Sequence, residues 1–120
     1  MKNMSFALTT QQMEDETKDI TRRTGWKKLK AGDLFQPVEK GMGLKKGETV
    51  KRVGRACMVV SVTPEPLSRM IDDPVYGAAE CVREGFPHLS PAQFVDMFCK
   101  ANKCQPGIVV NRIEFERIAR

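Results

Sequence analysis

Long apolar runs are missing from this chain: no stretch approaches the roughly 20 residues that a membrane-spanning helix needs, so no membrane partner is expected. The opening residues, Met1-Lys2-Asn3-Met4-Ser5-Phe6, carry no apolar segment behind their Lys, and a secretory signal is not expected either. Histidine, tryptophan and tyrosine occur once each, as His88, Trp26 and Tyr76. A lone histidine excludes mechanisms that need a His pair. A Ser–His–Asp or Cys–His triad would have to use His88, whose place just before a helix cap reads as structural. The four cysteines, Cys57, Cys81, Cys99 and Cys104, include no CxxC pair, and without an export signal they read as reduced thiols in a cytoplasmic protein. Cys81, His88, Cys99 and Cys104 lack the spacing of a standard zinc site, so neither metal nor cofactor is expected.

Acidic residues are in deficit. Twenty Lys and Arg against 15 Asp and Glu leave a formal charge of +5 and favour acidic partners, nucleic acid first among them. Most of the excess lies between residues 18 and 55, which forms the electrostatic face. The length of 120 residues suits a single domain over 1–120 with one modest core, and 41% apolar with 29% charged residues is ordinary for a globular protein. The sequence leaves the oligomeric state open.

Met4, Phe6 and Leu8 alternate with smaller residues and predict a short first strand. Thr9-Thr10-Gln11-Gln12 reads as a capping box opening a short helix, with Lys18 to Arg23 at its C-terminal end or just beyond. Leu34 to Lys40 predicts a strand in which Pro37 demands an edge or a bulge. Gly41 to Glu48 is a basic, Gly-rich loop without the spacing of a P-loop. Arg55 to Thr63 is the strongest strand, its near-continuous apolar run suggesting burial on both faces, with Pro64 and Pro66 ending it. Leu67 to Ile71 and Ala78 to Glu84 predict short helices, the second closed by Gly85. Ser90, Pro91 and Gln93 open the clearest helix, whose stripe is Phe94, Met97, Phe98 and Ala101. Ile108 to Ile118 alternates as a half-exposed strand with Val109, Ile113 and Phe115 on one side. Strands at both ends and in the middle, with helices between, predict an α+β fold: a small mixed or antiparallel β-barrel with helices at its mouth.

Glu16-Thr17-Lys18-Asp19-Ile20-Thr21-Arg22-Arg23-Thr24-Gly25-Trp26 concentrates cations, hydroxyls and the single Trp. Together with the Gly-Asp turn, the long central strand, Arg83-Glu84-Gly85-Phe86, the capped helix and the Ile-Glu-Phe strand, this stretch resembles the ASCH domain family (activating signal cointegrator homology). That family is related to PUA-like RNA-binding β-barrels, and the likeness is strongest to its small bacterial and phage members. The resemblance covers nearly all of the chain. Of the family signature GxKxxExR, the Lys and Arg positions are met by Lys18 and Arg23, while Glu16 stands at the Gly position and Thr21 at the acidic one.

The resemblance implies a cleft that binds RNA or a nucleotide. It also implies an alternative, because one bacterial subgroup with Thr in place of the acid hydrolyses the acetyl amide of acetylcytidine nucleosides with a Lys, a Thr and a Glu. Here these would be Lys18, Thr21 and Glu84. The chemistry is coherent: a Thr hydroxyl needs a base to become nucleophilic, and a Lys lowered by burial or neighbouring cations can be that base. On a helix, Lys18 and Thr21 would share one face. In the binding reading Lys18, Arg22, Arg23, Lys40 and Lys45 meet phosphate and Trp26 stacks a base. A ribonuclease and a module docking an acidic protein are further alternatives.

Overall fold

The computed structural model describes residues 1–40 and 46–118. Its elements are β1 (Lys2–Ser5), α1 (Thr10–Asp15), β2 (Ile20–Arg23), β3 (Leu34–Val38), β4 (Cys57–Pro66), α2 (Arg69–Asp72), α3 (Pro74–Arg83), α4 (Pro91–Asn102) and β5 (Val109–Arg117). The strands form one mixed sheet in the order β1-β3-β4-β5-β2, parallel only between β1 and β3. The fold is thus α+β around a five-stranded mixed sheet. Among the described residues the sheet does not close, and β1 and β2 are its edges. No helix among them is long and apolar enough to cross a membrane.

The two faces of β5 serve two clusters. Ile113 and Phe115 point into a core with Met4, Phe6, Met13, Phe35, Val53, Cys57 and Val59. Val110, of opposite parity along the strand, joins Leu67, Met70, Cys81, Phe94, Val95 and Phe98 under the helices. Val109, expected to share a face with Ile113 and Phe115, is exposed instead.

The long central strand departs from the expectation of burial on both faces. A bulge between Val59 and Ser61 leaves Val60 without a cross-strand partner and 40% exposed. Cys57 and Val59 face the first core before the bulge, and Val62 packs against it afterwards. The strand also runs through Pro64 and Pro66 rather than ending before them, paired to Asn111 and Val109. This is possible because β3 leaves the other side of β4 after the Leu34–Met58 and Phe35–Cys57 pairs, so the missing N–H groups interrupt no ladder there. Pro37 departs from the expected edge or bulge: it pairs with Met4 of β1 on one side, and on the other its carbonyl accepts from Val53 N while Val38 bridges Arg52.

At the N-terminus, β1 ends at Ser5, and Leu8 is 67% exposed rather than buried in line with Phe6. Helix α1 begins without a side-chain cap; the Thr10 hydroxyl instead donates to the Phe6 carbonyl. Helix α4 carries the expected box, with Ser90 accepting from Gln93 N and Gln93 from Ser90 N. Helix α3 starts at Pro74, four residues earlier than expected, because Asp73 accepts from Tyr76 N and Pro74 takes the first turn. The three helices pack closely at Gly77, where a Cβ would meet the Met70 carbonyl.

Candidate active site

Glu16 adopts a left-handed conformation (φ 60°) and stops α1 after six residues. Lys18 therefore does not lie on a helix with Thr21, as its spacing suggested. Thr21 belongs to β2, whose β-branched Ile20 and Thr21 favour the extended chain. As β2 is an edge strand, side chains from both its faces reach the groove along its free side.

Opposite stands the end of α3. Tyr76, Glu80 and the C-cap Glu84 are four apart and so form one stripe. Lys18 Nζ donates to Glu84 Oε1 at 2.6 Å and to the Glu84 carbonyl at 2.9 Å. Arg22 Nη1 donates to Glu84 Oε2 at 2.9 Å, and its Nη2 to Glu80 Oε1 at 2.5 Å and to the Tyr76 hydroxyl at 3.2 Å. Arg112 of β5 holds both oxygens of Glu80, and Tyr76 donates to Glu65. Three cations (Lys18, Arg22, Arg112) thus face three buried carboxylates (Glu65, Glu80, Glu84), with the exposed Arg69 also against Glu65 at the rim. The backbone is tied at the same place: Asp19 N donates to the Arg83 carbonyl at 3.0 Å.

Gly85 makes this approach possible. It sits at φ +92°, and a Cβ there would come within 2.7 Å of Gln12 Cγ and 3.4 Å of Lys18 Cβ.

Arg23 is different from its neighbour. Its Nε donates to the Thr21 hydroxyl at 3.0 Å and its Nη2 to the Ser5 carbonyl at 2.6 Å, with the guanidinium 4.7 Å from the Phe6 ring centre. It has no salt bridge among the described residues. The bond to Ser5 crosses the open seam between β1 and β2.

These groups border a cavity of about 410 Å³, lined by Lys18, Thr21, Arg22, Arg23 and Glu84 on its polar side. Phe6, Phe86, Phe94, Met97, Phe98 and Ala101 form the apolar side. The apolar stripe of α4 therefore also forms a cavity wall. Arg22 Nε is buried and has no hydrogen-bond partner among the described residues.

Burial pushes the Lys18 ammonium below its ordinary 10.5; Glu84 opposes this, while Arg23 and Arg22 add to it. Burial brings Arg23 down to about 10, still cationic near neutrality. Burial alone would raise Glu80, but hydrogen bonds from Arg112 and Arg22 reverse that and hold it at about 2. Burial and the bond to Glu65 lift Tyr76 to about 12.

Of the residues singled out by sequence, Lys18, Thr21, Arg22, Arg23 and Glu84 come together. Trp26 lines a second cavity, exposed Lys40 lines neither, and Lys45 lies outside the described residues. Glu80, Tyr76, Glu65 and Arg112 were not anticipated; the four-residue spacing of Tyr76, Glu80 and Glu84 is the one signal that could have found two of them. Among the described residues no three His, Cys, Asp or Glu are grouped to hold a metal ion. No family model, no curated protein and no solved structure matches this chain.

Proposed function

We propose that the chain is an amidohydrolase that converts N4-acetylcytidine nucleosides and water to cytidine nucleosides and acetate, using Lys18, Thr21 and Glu84. The observation that carries this reading is the shared cavity, whose lining includes a buried, depressed amine bonded to a carboxylate and the Thr21 hydroxyl, which accepts from Arg23 Nε. Its volume of about 410 Å³ falls in the range of roughly 300–1,000 Å³ typical of small-molecule sites. The aromatic wall suits a flat base.

In this mechanism Lys18, neutral, takes the Thr21 proton as Thr21 Oγ1 attacks the acetyl carbon. The carbonyl oxygen becomes an oxyanion beside the Arg23 guanidinium, which forms no salt bridge among the described residues. The C–N bond breaks as the Lys18–Glu84 pair returns a proton to the departing amine. Lys18 then takes a proton from water as that water attacks the acyl ester and returns it to Thr21 Oγ1 as the C–O bond breaks, so that acetic acid leaves and ionises to acetate and a proton. Glu84 orients the Lys18 amine throughout.

The fold reading that accompanies this function is an ASCH-type, PUA-like barrel. The Arg23–Ser5 bond across the seam supports it, since a side chain spans the gap that strand pairing leaves open. A phosphate-binding cleft draws less support from the same groups, because Lys18 and Arg22 already face carboxylates that a phosphate would have to displace.

Chromatography of N4-acetylcytidine incubated with the protein tests the proposal. Cytidine should accumulate with the wild type and not with Thr21→Ala. Equal release by that variant would remove Thr21 from the mechanism, and no release by either would remove the function.

A further inference from the structure

A second cavity, of about 460 Å³, lies on the same open edge of the sheet. Trp26, Leu29 and Leu34 give it an apolar wall, and Lys2 and Lys28 stand at its border. Strand β1 runs from this cavity at Lys2 to the first at Ser5, and β2 runs from Thr21 and Arg23 toward Trp26. The cavities therefore occupy the two ends of the seam between the edge strands. Along β1 only Asn3 and Met4 separate the two lining residues, on the order of 10 Å. Arg23, in the lining of the first cavity, forms no salt bridge among the described residues.

Trp26 is held there against its backbone preference. Its φ of 64° is uncommon for a bulky side chain, and a hydrogen bond from Leu29 N to its carbonyl, at 3.2 Å, closes the turn. The indole packs partly against the core while lining the cavity. Lys2, Lys27, Lys28 and Lys30 are exposed and form no salt bridge among the described residues. The one carboxylate at the cavity, Asp33, accepts from Lys30 N.

An aromatic face bordered by unneutralised lysines, in line with a nucleoside-sized pocket, is complementary to a polyanion that carries flat rings. We infer that the Trp26 cavity is a subsite for a flanking nucleotide: Trp26 stacks its base and Lys2 and Lys28 meet its phosphates. The modified cytidine is then presented within a single-stranded nucleic acid rather than as a free nucleoside. This inference rests on the proposed acylcytidine chemistry for its substrate, but the subsite itself needs no turnover.

Trp26 is the only tryptophan, so its fluorescence reports the subsite directly. Titration with a short oligocytidylate should quench it saturably. Cytidine 5′-monophosphate should do so far more weakly, and added salt should weaken the oligomer. Lys2→Glu/Lys28→Glu, both on exposed positions, should weaken the oligomer by about tenfold or more. No quenching, equal quenching by monomer and oligomer, or undiminished binding by the double variant would overturn the subsite. Quenching by polyglutamate in place of the oligomer would overturn it in favour of an acidic protein partner. Quenching without any deacetylation would uphold the subsite and refute the acylcytidine reading alone.

Discussion

Replacing Glu84 by Gln keeps the side-chain shape and removes one negative charge from the buried cluster. The carboxylate accepts from Lys18 at 2.6 Å and from Arg22 at 2.9 Å, with Lys18 and Glu84 each 3% exposed. A carboxamide can keep one of these bonds, but its NH₂ must then face the other cation. Two cation–carboxylate pairs are lost and the buried cluster gains a net positive charge. Breaking a buried pair from one side costs about 3–5 kcal/mol. The lower end applies, because Lys18 can release its proton and keep its bond to the Glu84 backbone carbonyl. A loss of about 3 kcal/mol lowers the urea midpoint by roughly 1–3 M at the slopes usual for small proteins.

The pH dependence distinguishes this account from a simple packing defect. Without Glu84 the Lys18 amine, already depressed, falls further in the folded state while the unfolded value stays at the ordinary 10.5. The unfolded chain then binds more protons, so the variant regains stability as pH rises toward that value. Urea unfolding of wild type and Glu84→Gln at pH values from neutrality to about 10 should show a deficit that shrinks with pH. A deficit under about 1 kcal/mol, or one constant with pH, would refute the buried charge pair.

Gly85→Ala should destabilise by about 1–2 kcal/mol, from the positive φ and the approach to Gln12 and Lys18, and should lower melting temperature and deacetylation together. Arg23→Gln should cut kcat by about 10²–10³-fold if its charge faces the oxyanion, measured by steady-state release of cytidine. Glu80, held at about 2 against an ordinary 4.5, contributes stability above the ordinary carboxylate range that is lost as pH falls from 4.5 toward 2. Acid unfolding followed by circular dichroism should show this step in the wild type and not in Glu80→Gln.

What the sequence made legible was chiefly local. The Ser90-Pro91-Gln93 start of α4 is read from neighbours a few residues apart, and the structure matches it. The Lys18–Thr21 spacing misled because three residues apart suits a helix, whereas the left-handed Glu16 ends α1 and β-branched residues follow. The central strand looked buried on both faces because a bulge, set by pairing with β5, shifts the phase of its apolar residues. Glu84 was found through resemblance rather than pattern, since Lys18 meets it across 66 positions of sequence. Glu65 and Arg112 are ordinary charges until the sheet and α3 bring them to Tyr76 and Glu80. Trp26 was grouped with Lys18 by proximity in the chain, but its turn carries it to the other end of the seam.

The most direct measurement is the release of cytidine from N4-acetylcytidine as a function of pH. The account predicts that kcat/KM climbs with pH as Lys18 loses its proton, with a midpoint below the ordinary 10.5, and that Lys18→Ala and Thr21→Ala show no such release. Absence of release at every pH, or a profile that survives either substitution, would contradict it.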